Sequence, residues 1–425
     1  MKKNIILVFI FSTILLSAQS TYLHCGKLID TKNGKVIKKM TVIVSGNKIT
    51  DVKKGYLQPA STNDQVIDLT QKTVMPGLID MHVHIESELN PKSYIEKFAL
   101  NDADIAYNAQ KNAKTTLMAG FTTVRDLGGS GVNVSLRNAI NEGKVDGPRI
   151  FTAEKALAST GGHADPTNGW NRKLMGDPGP KEGVVNSIND AKKAVRQRYK
   201  NGADWVKITA TGGVLSVAKS GQNPQFTIEE IKAITQTAKD YGMMVAAHAH
   251  GDKGMQRAII GGVKTIEHGT LMSDKTMELM KKYGAYLVPT ITAGKSVEEK
   301  AKIKGYFPEI IVPKALAIGP KIQDTFSRAY KKGVLIAFGT DAGVFNHGQN
   351  GKEFVYMIEA GMPAIEAIQS ATITNANLLE IEKQLGSIEK GKLADIVATD
   401  EDPTDNINTM VSVSFVMKNG KIYKQ

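Results

Sequence analysis

The stretch Met75-Pro76-Gly77-Leu78-Ile79-Asp80-Met81-His82-Val83-His84 joins an apolar run to two histidines that are separated by one residue. On a β-strand, side chains at positions i and i+2 point to the same face. His82 and His84 can therefore direct two imidazoles at one point, and neutral imidazole is the commonest protein ligand for divalent transition metals. The pair alone is also compatible with an exposed strand edge, so the rest of the chain must supply further ligands.

The first 19 residues have the pattern of a secretory signal peptide. The positive pair Lys2-Lys3 precedes an apolar stretch over residues 5–16, and small residues surround Ala18. This pattern predicts an exported protein, in the bacterial periplasm or secreted. No later apolar run approaches the ~18 residues that a transmembrane helix needs, so the mature chain is not expected to be embedded in a membrane.

Cysteine content and net charge argue against a disulfide, a lipid anchor and a nucleic-acid partner. Cys25 is the single cysteine, which excludes an intramolecular disulfide, and His24 stands where a lipoprotein anchor needs a small residue. The formal charge of +12 becomes +10 without Lys2 and Lys3. Because the lysines are scattered and form no long block, they indicate a solvated surface and no nucleic-acid partner.

The 425 residues, 41% of them apolar, suffice for one large and one small domain. Residues 20–74 alternate β-branched side chains with turns at Asn33-Gly34 and Gly46-Asn47, which is typical of antiparallel strands. Residues 386–425 read alike, with strand-like segments at 394–398 and 411–417. We expect both chain ends to form one composite β-sandwich domain.

Residues 75–385 alternate short apolar strands with helical segments. One helix is indicated by Thr227 and Glu230, whose spacing forms a capping box before apolar residues at helical intervals. The alternation predicts an α/β fold, a closed (β/α)8 TIM barrel. An open doubly wound sheet is the alternative, although no glycine-rich phosphate motif follows the first strand. The predicted strands cover residues 74–84, 122–127, 148–153, 205–209, 244–248, 265–268, 286–290 and 335–340.

Residues that can bind metal occupy the carboxyl ends of these strands, where the active sites of such barrels lie. Four of the eight histidines are among them. From position alone, the lysine of the group either reaches the rim or pairs with a carboxylate, because a buried unpaired ammonium is costly. The aspartate can alternatively cap a helix. The six residues are His82, His84, Lys207, His248, His268 and Asp341.

This pattern resembles the metal-dependent amidohydrolase superfamily over nearly the whole mature chain. Three local motifs narrow the resemblance to the imidazolonepropionase-like branch, which includes Xaa-Pro dipeptidases, related carboxypeptidases and ochratoxin-type amidases. The resemblance implies two divalent metal ions, Zn²⁺ first, with Mn²⁺, Co²⁺ and Fe²⁺ as alternatives. The motifs are Thr209-Ala210-Thr211-Gly212-Gly213, Ala247-His248-Ala249-His250-Gly251 and Gly161-Gly162-His163.

The resemblance also implies a role for each residue. Lys207 would bridge both metals as N6-carboxylysine, formed when CO2 adds to the deprotonated amine. A metal-bound hydroxide would attack the substrate, and Asp341 would be the catalytic residue that passes a proton to the departing amine. The more buried metal would be held by His82, His84 and Asp341, and the more exposed one by His248 and His268.

Two further histidines are candidates for substrate binding. His163 follows glycines that let the backbone approach a ligand. His250 shares the face of His248 if that strand continues. Each is also compatible with a surface position. Specificity is expected to lie in the loops after the strands, and Gly169-Trp170-Asn171 and Phe345-Asn346-His347 are expected lining.

Four other residues receive weaker assignments. His24 and His347 are predicted to have no catalytic role. Arg125 and Asp126, at the end of the second barrel strand, either orient metal ligands from behind or form a structural ion pair with each other. The residues alone leave both alternatives open.

The predicted function is that of an exported hydrolase cutting an amide or peptide bond next to a free carboxylate. It would be a Xaa-Pro dipeptidase, a carboxypeptidase or an N-acyl amino acid amidase. Its partners would be a dipeptide or another small-molecule substrate, and further copies of itself in a homo-oligomer. Alternatives are a cyclic amide or lactone hydrolase and a non-catalytic barrel that serves as an interaction module.

Overall fold

The structure is a computed structural model that describes residues 19–425, so residues 1–18 of the predicted signal peptide lie outside the described part. The strands found there are β1 (Ser20–Asp30), β2 (Lys35–Ser45), β3 (Lys48–Lys54), β4 (Gln65–Pro76), β5 (Leu78–Val83), β6 (Phe121–Asp126), β7 (Arg149–Thr152), β8 (Trp205–Thr209), β9 (Met244–Ala249), β10 (Thr265–His268), β11 (Tyr286–Val288), β12 (Leu335–Ile336), β13 (Ile396–Thr399), β14 (Phe415–Lys418) and β15 (Lys421–Lys424).

The helices lie mainly between the central strands. They are α1 (Ser93–Ala99), α2 (Asp102–Met118), α3 (Val132–Asn141), α4 (Arg172–Met175), α5 (Ile188–Asn201), α6 (Ile228–Asp240), α7 (Asp252–Ile260), α8 (Asp274–Tyr283), α9 (Ile291–Ala301), α10 (Val312–Lys331), α11 (Lys352–Glu359), α12 (Ala364–Ser370) and α13 (Ile373–Leu378), with a 3-10 helix at Ile407–Val411. Across residues 19–425, none of these helices combines the length and apolar character that crossing a bilayer requires.

Strands from both chain ends form one seven-stranded sheet in the order β15-β14-β13-β4-β1-β2-β3. β4 joins its two halves, because it runs parallel to β1 and antiparallel to β13. The sheet is therefore mixed and not purely antiparallel. Cys25 is buried in its apolar core, and burial raises the pKa of the thiol to about 12, so this cysteine is a neutral packing residue.

The expected strand over residues 411–417 is shorter in the structure. A 3-10 helix occupies Ile407–Val411, and β14 begins only at Phe415. Val413 lies between the 3-10 helix and β14 and is buried in the neighbouring central core. It packs so closely on Gly120 that a Cβ on this glycine would lie 3.0 Å from Val413 Cγ2. Packing of one side chain into the next core therefore overrides the strand pattern.

The middle of the chain contains two parallel sheets, β5-β6-β7 and β12-β11-β10-β9-β8, which confirm the predicted α/β class. Backbone hydrogen bonds connect their edges on both sides. The amides of Met81 and His84 donate to the carbonyl oxygens of Phe338 and Ala342, at 3.0 and 2.7 Å. On the other side, the amide of Leu157 donates to the carbonyl of Lys207, at 2.7 Å.

Several central strands are shorter than predicted, and each change has a local cause. β4 and β5 are separated by Gly77, which has no room for a side chain, since a Cβ there would lie 2.3 Å from Thr122 Oγ1. β11 and β12 end before residues 290 and 340, since the chain then leaves the sheet. Thr290 and Asp341 have left-handed backbone conformations, with φ of 53° and 62°.

The predicted capping box at the start of α6 is present. Thr227 Oγ1 accepts a hydrogen bond from the amide of Glu230 at 3.2 Å, and Glu230 Oε2 accepts one from the amide of Thr227 at 2.8 Å. The helix buries Ile231 and Ile234 on its inner face. Parallel strands with intervening helices bring their carboxyl ends to one side, where the candidate site lies.

Candidate active site

Six side chains converge at the carboxyl ends of the central strands, and we refer to them together as the cage. The imidazole centroids of His82 and His84 are 5.4 Å apart, and those of His248 and His268 are 4.8 Å apart. His82 and His268 also lie 5.2 Å from each other. The cage consists of His82, His84, Lys207, His248, His268 and Asp341.

The first two histidines are oriented by hydrogen bonds on the side away from the cage centre. His82 Nδ1 donates to Glu267 Oε2 and His84 Nδ1 donates to the carbonyl of Gly128, both at 2.9 Å. These bonds place the proton on Nδ1 and leave the Nε2 lone pairs free. The Nε2 atoms of His82 and His84 lie 3.5 and 3.4 Å from Asp341 Oδ1.

Asp341 Oδ1 is buried and has no hydrogen-bond partner among the described residues. Three electron-rich atoms therefore face one another, an arrangement that a cation between them would stabilise. One ligand-type atom from each of His82, His268 and Asp341 also lies within 4.8 Å of the other two. The donor set and its geometry fit a divalent metal ion.

The other two cage histidines are held in the same manner. His248 Nε2 donates to the carbonyl of Gly212 at 3.1 Å, which leaves Nδ1 as the available ligand atom. His268 Nδ1 is bonded to Thr290 Oγ1 at 2.7 Å, which leaves Nε2. Burial lowers the pKa of both imidazoles well below 6.5 and keeps them in the neutral form that binds metal.

Lys207 is buried, and its Nζ lies 3.4 Å from His82 Nε2. It neither reaches the rim nor pairs with a carboxylate within 4.0 Å in residues 19–425, so neither position-based alternative describes it. Burial lowers the pKa of Lys207 to about 8 and raises that of Asp341 to about 8. The lysine amine is thus more easily deprotonated than an exposed one.

The alternative assignment of Asp341 to a helix cap does not match the structure. Asp341 has a left-handed backbone, and the next helix, α11, begins only at Lys352. Its amide donates to the carbonyl of His82 at 2.7 Å, which fixes the carboxylate beside the first strand. The aspartate therefore faces the cage.

Arg125 supports the cage through Glu267, a residue that sequence analysis missed. Arg125 Nη2 donates to Glu267 Oε1 at 2.9 Å, and its guanidinium stacks over the ring of Trp205 at 4.5 Å. Asp126 is engaged elsewhere, since it accepts the amide of Ile85 at 3.0 Å. The two neighbours therefore do not form the simple mutual ion pair. A carboxylate next to His268 in a buried strand was the available signal for Glu267.

Two more buried carboxylates that sequence analysis missed support the cage. Asp80 accepts hydrogen bonds from the amide of His82 at 3.0 Å and the hydroxyl of Thr340 at 2.6 Å. Glu353 accepts from the amides of Ile291 and Thr292, at 2.7 and 2.8 Å, at the start of α9. Because this contact holds the turn that carries the Thr290 hydroxyl, it also helps to orient His268.

The two candidate substrate-binding histidines lie beside the cage and line the same cavity. The ring of His163 is 4.4 Å from that of His248, and its buried Nδ1 has no partner among the described residues. His250 lies one residue past β9, and its Nδ1 is bonded to Thr270 Oγ1 at 2.9 Å. Burial lowers the pKa of His163 to about 3 and that of His250 to about 4, so both are neutral.

His347 and His24 lie outside the cavity lining. His347 Nε2 lies 3.2 Å from the carbonyl oxygens of His84 and Ser87, so this histidine holds the loop after β5. His24 bonds to the carbonyl of Leu57 at 2.9 Å in the terminal sheet. Their contacts are those of structural residues.

The cavity above the cage has a volume of about 350 Å³. We refer to α1, residues 213–217, α9 and α10 together as the roof, because their residues line this space outside the cage. Trp170 lines the cavity as expected and stacks on Phe98 of α1, whereas residues 345–347 do not line it. The apolar lining includes Val214, Leu215, Val217, Val297, Ile318, Ile322 and Val344.

Side chains that bind backbone carbonyls hold the roof together. Lys314 of α10 donates to the carbonyls of Gly213, Ser216 and Ala218, with distances of 3.3 and 2.8 Å to the first and last. Tyr94 of α1 donates its hydroxyl to the carbonyl of Leu215 at 3.0 Å. The loop over the cavity is therefore tied to two helices.

Comparison with known proteins places this site in context. A profile of the amidohydrolase family matches residues 73–423. A solved Xaa-Pro dipeptidase with methionine bound in its active site is 54% identical, covers 96% of this chain and 100% of that chain, and superposes with a TM-score of 0.93. A prolidase in complex with N-methylphosphonate-L-proline is 31% identical, with 96% and 100% coverage and a TM-score of 0.86.

A curated relative with an assigned activity supports the same grouping. Ochratoxinase from Aspergillus niger is 29% identical over 434 residues, which span 96% of this chain and 87% of the relative. Together these similarities confirm the resemblance that the strand-end residues indicated.

Proposed function

Because the chain belongs to the amidohydrolase family, whose relatives here hydrolyse C–N bonds, we propose that it is a binuclear metal hydrolase cutting an amide or peptide bond next to a free carboxylate. The observation that carries this proposal is the unpartnered Oδ1 of Asp341 facing the Nε2 atoms of His82 and His84. Without a cation between them, burying these three electron-rich atoms next to one another would be energetically costly.

We propose that the two parallel sheets close into a single (β/α)8 barrel. Support comes from the backbone hydrogen bonds that join β5 to residues 338–342 and residue 157 to β8. Such closure would bring all cage residues to one rim, which matches their observed convergence.

In the proposed site, each metal would be held by histidines whose second nitrogen is already engaged. When bound, two divalent ions, Zn²⁺ or alternatively Mn²⁺, Co²⁺ or Fe²⁺, would lower the pKa of a water and polarise the scissile carbonyl. Lys207, carboxylated by CO2, would bridge them, and its lowered pKa favours the free amine that this modification needs. The first ion would be held by His82, His84 and Asp341, and the second by His248 and His268.

Asp341 is proposed to move the proton from the attacking water to the departing nitrogen. Its carboxylate lines the cavity, and with Oδ1 directed at the first metal the second oxygen, Oδ2, is left to accept a proton. His163 and His250 are proposed to bind the substrate, because both are neutral and line the cavity next to the cage. The unpartnered Nδ1 of His163 would donate a hydrogen bond to an oxygen of the substrate in the tautomer that carries the proton on Nδ1.

The substrate proposal is a dipeptide, with the Xaa-Pro type first, or an N-acyl amino acid. A cavity of about 350 Å³ with a mostly apolar roof suits a molecule of that size with an apolar group. The dipeptidase and the prolidase among the similar structures favour the first choice. Export through residues 1–19 and assembly into a homo-oligomer remain proposals from the sequence.

The test is a hydrolysis screen of the purified chain after loading with Zn²⁺ or Mn²⁺. We expect about two ions per chain by elemental analysis, and amide cleavage in a library of Xaa-Pro, Xaa-Arg and N-acyl-aromatic substrates. Cleavage confined to imidazolones, hydantoins or lactones would support the cyclic-substrate alternative. A folded chain that takes up no transition metal would refute the proposed function.

The lysine bridge has its own test. Lys207→Ala removes the proposed carbamate, so bound metal and activity should fall together, and short carboxylic acids should partly restore both. Lys321→Ala, on an exposed position of α10, is the control. If Lys207→Ala binds two metals as the unmodified chain does, the bridge is wrong.

A further inference from the structure

Outside the cage, only two charged side chains line the cavity in the described part of the chain, Lys97 and Asp165. Asp165 is fully engaged by its own loop. Its Oδ2 accepts the amide of Gly161 at 2.8 Å, and its Oδ1 accepts the amide and the hydroxyl of Thr167, at 2.9 and 2.7 Å. Its hydrogen-bond partners are all neutral donors, and among the described side chains of residues 19–425 no lysine or arginine nitrogen lies within 4.0 Å of its carboxylate, so it forms no ion pair on the cavity wall.

Lys97 is in the opposite situation. Within residues 19–425 no carboxylate lies within 4.0 Å of its ammonium, which stands 5.9 Å from the centre of the aromatic ring of Tyr94. Solvent still reaches the side chain, but partial burial at the cavity mouth lowers its pKa. Its charge also contributes to the lowered pKa of His163 on the cavity wall. An uncompensated cation thus faces the space above the cage.

We propose that Lys97 binds the free carboxylate of the substrate at the α1 end of the cavity. This inference rests on the proposed function, because it places the scissile carbonyl at the cage and the carboxylate at the roof. A lysine ammonium is a compact point charge on a flexible stem, so it attracts a carboxylate without demanding one fixed geometry. The cavity would then discriminate between acids and the corresponding neutral amides.

The position of Lys97 explains why it can serve this purpose without supporting the fold. α1 contains no fully buried side chain: Tyr94 packs against an apolar cluster, whereas Lys97 belongs to no such cluster. Phe98, the next residue, stacks on Trp170, which fixes the helix over the cavity mouth. The lysine is therefore held at the entrance while its charge stays available for a ligand.

The experiment compares Lys97→Met with the unmodified chain on two matched substrates, methionyl-proline and methionyl-prolinamide, after metal loading. We expect KM for the acid to rise about tenfold, the typical effect of losing a charged hydrogen bond. KM for the amide and kcat for both should change little. Lys97→Arg should retain the preference for the acid. Lys92→Met, at an exposed position just before α1, should behave as the unmodified chain.

An unchanged ratio of the two KM values in Lys97→Met would overturn the inference while leaving the proposed hydrolysis intact. Should the metal-loaded chain cleave neither substrate, the proposed function fails, and calorimetric titration with L-proline and L-prolinamide still tests the residue. Binding of proline that weakens in Lys97→Met while prolinamide binding stays the same supports the inference. Equal binding of proline by both proteins refutes it. Circular dichroism checks that each variant is folded.

Discussion

Four of the six cage residues lie on buried strands and the other two just beyond strand ends, whereas the roof of the same cavity is carried by one loop and three helices. Four of the six cage residues have ring nitrogens that are oriented by hydrogen bonds to residues behind them. The roof loop is held mainly by the ammonium of Lys314 and the hydroxyl of Tyr94. Hydrogen bonds from behind therefore fix the orientation of the cage histidines, whereas the position of the roof loop depends on a few side chains.

This difference separates two kinds of consequence. A change in the cage alters atoms that would touch the metals or move a proton, so it should act on turnover and metal affinity. A change in the roof alters the space that the substrate fills, so it should act on KM and on the choice of substrate. Cage variants should therefore change turnover and metal affinity, whereas roof variants should change KM and substrate choice.

The largest effect is expected for Asp341→Asn, which retains the shape of the side chain but removes the proton acceptor. Turnover should fall by about a thousandfold or more, within the range known for general acid–base groups. Metal content should be retained, since the amide oxygen can still bind. Steady-state kinetics and elemental analysis on the same sample measure both. Retained turnover would contradict the proposed role, and Asp324→Asn on exposed α10 is the control.

The next effect is expected for Glu267→Gln, behind the cage. The change weakens the hydrogen bond to His82 Nδ1 and leaves the buried guanidinium of Arg125 without its countercharge. Metal affinity should fall about 10- to 100-fold, and the free energy of unfolding by about 3–5 kcal/mol. Chelator competition and denaturant unfolding measure the two. Glu278→Gln, an exposed position on α8, is the control, and unchanged metal affinity would show that the contact is dispensable.

Lowering the pH should destabilise the region of the cage before that of the roof, because the roof segments contain no histidine. Burial lowers the pKa of His84 and His250 from 6.5 to about 4, so the unfolded chain binds more protons between these values. Their contribution to stability is present above pH 6.5 and is lost as the pH falls through about 4. Burial raises the pKa of the Asp341 and Glu353 carboxyls to about 8, and these groups act in the opposite direction. The histidine contribution is therefore measured as a difference: between pH 7 and pH 5, the melting temperature of metal-free His250→Asn should fall less, or rise more, than that of the unmodified metal-free chain. An equal change in both proteins would contradict this origin.

The smallest effect is expected for Lys314→Met in the roof. The apolar part of the side chain is kept, but three carbonyls of the loop over the cavity lose their donor. KM should rise several-fold, or up to about tenfold, while kcat and metal content stay close to those of the unmodified chain. Lys314→Arg should recover most of the loss, and Lys321→Met on the same helix should have no effect. A loss in kcat with unchanged KM would show that the loop also shapes the cage.

The cage residues were accessible to sequence analysis because strand ends concentrate residues of one chemistry at fixed places. An i, i+2 histidine pair, a lysine within an apolar strand and an aspartate in a Thr-Asp-Ala-Gly stretch are local patterns. The strand character of both chain ends also followed a local pattern of alternating side chains and turns. The parallel order of β1 and β4 did not, since pairing direction is set by contacts between distant segments.

The sequence by itself determined the α/β class, the family and the set of six candidate ligand residues, because these depend on periodicity and on residue type at strand ends. Only the tertiary structure decided which groups stand behind the ligands. Glu267 meets Arg125, and Glu353 meets the turn before α9, across separations of 142 and 62 residues. Only the structure also placed Lys97 and Lys314 at the cavity. Contacts between segments so far apart leave no local pattern, since they arise from packing and not from propensity.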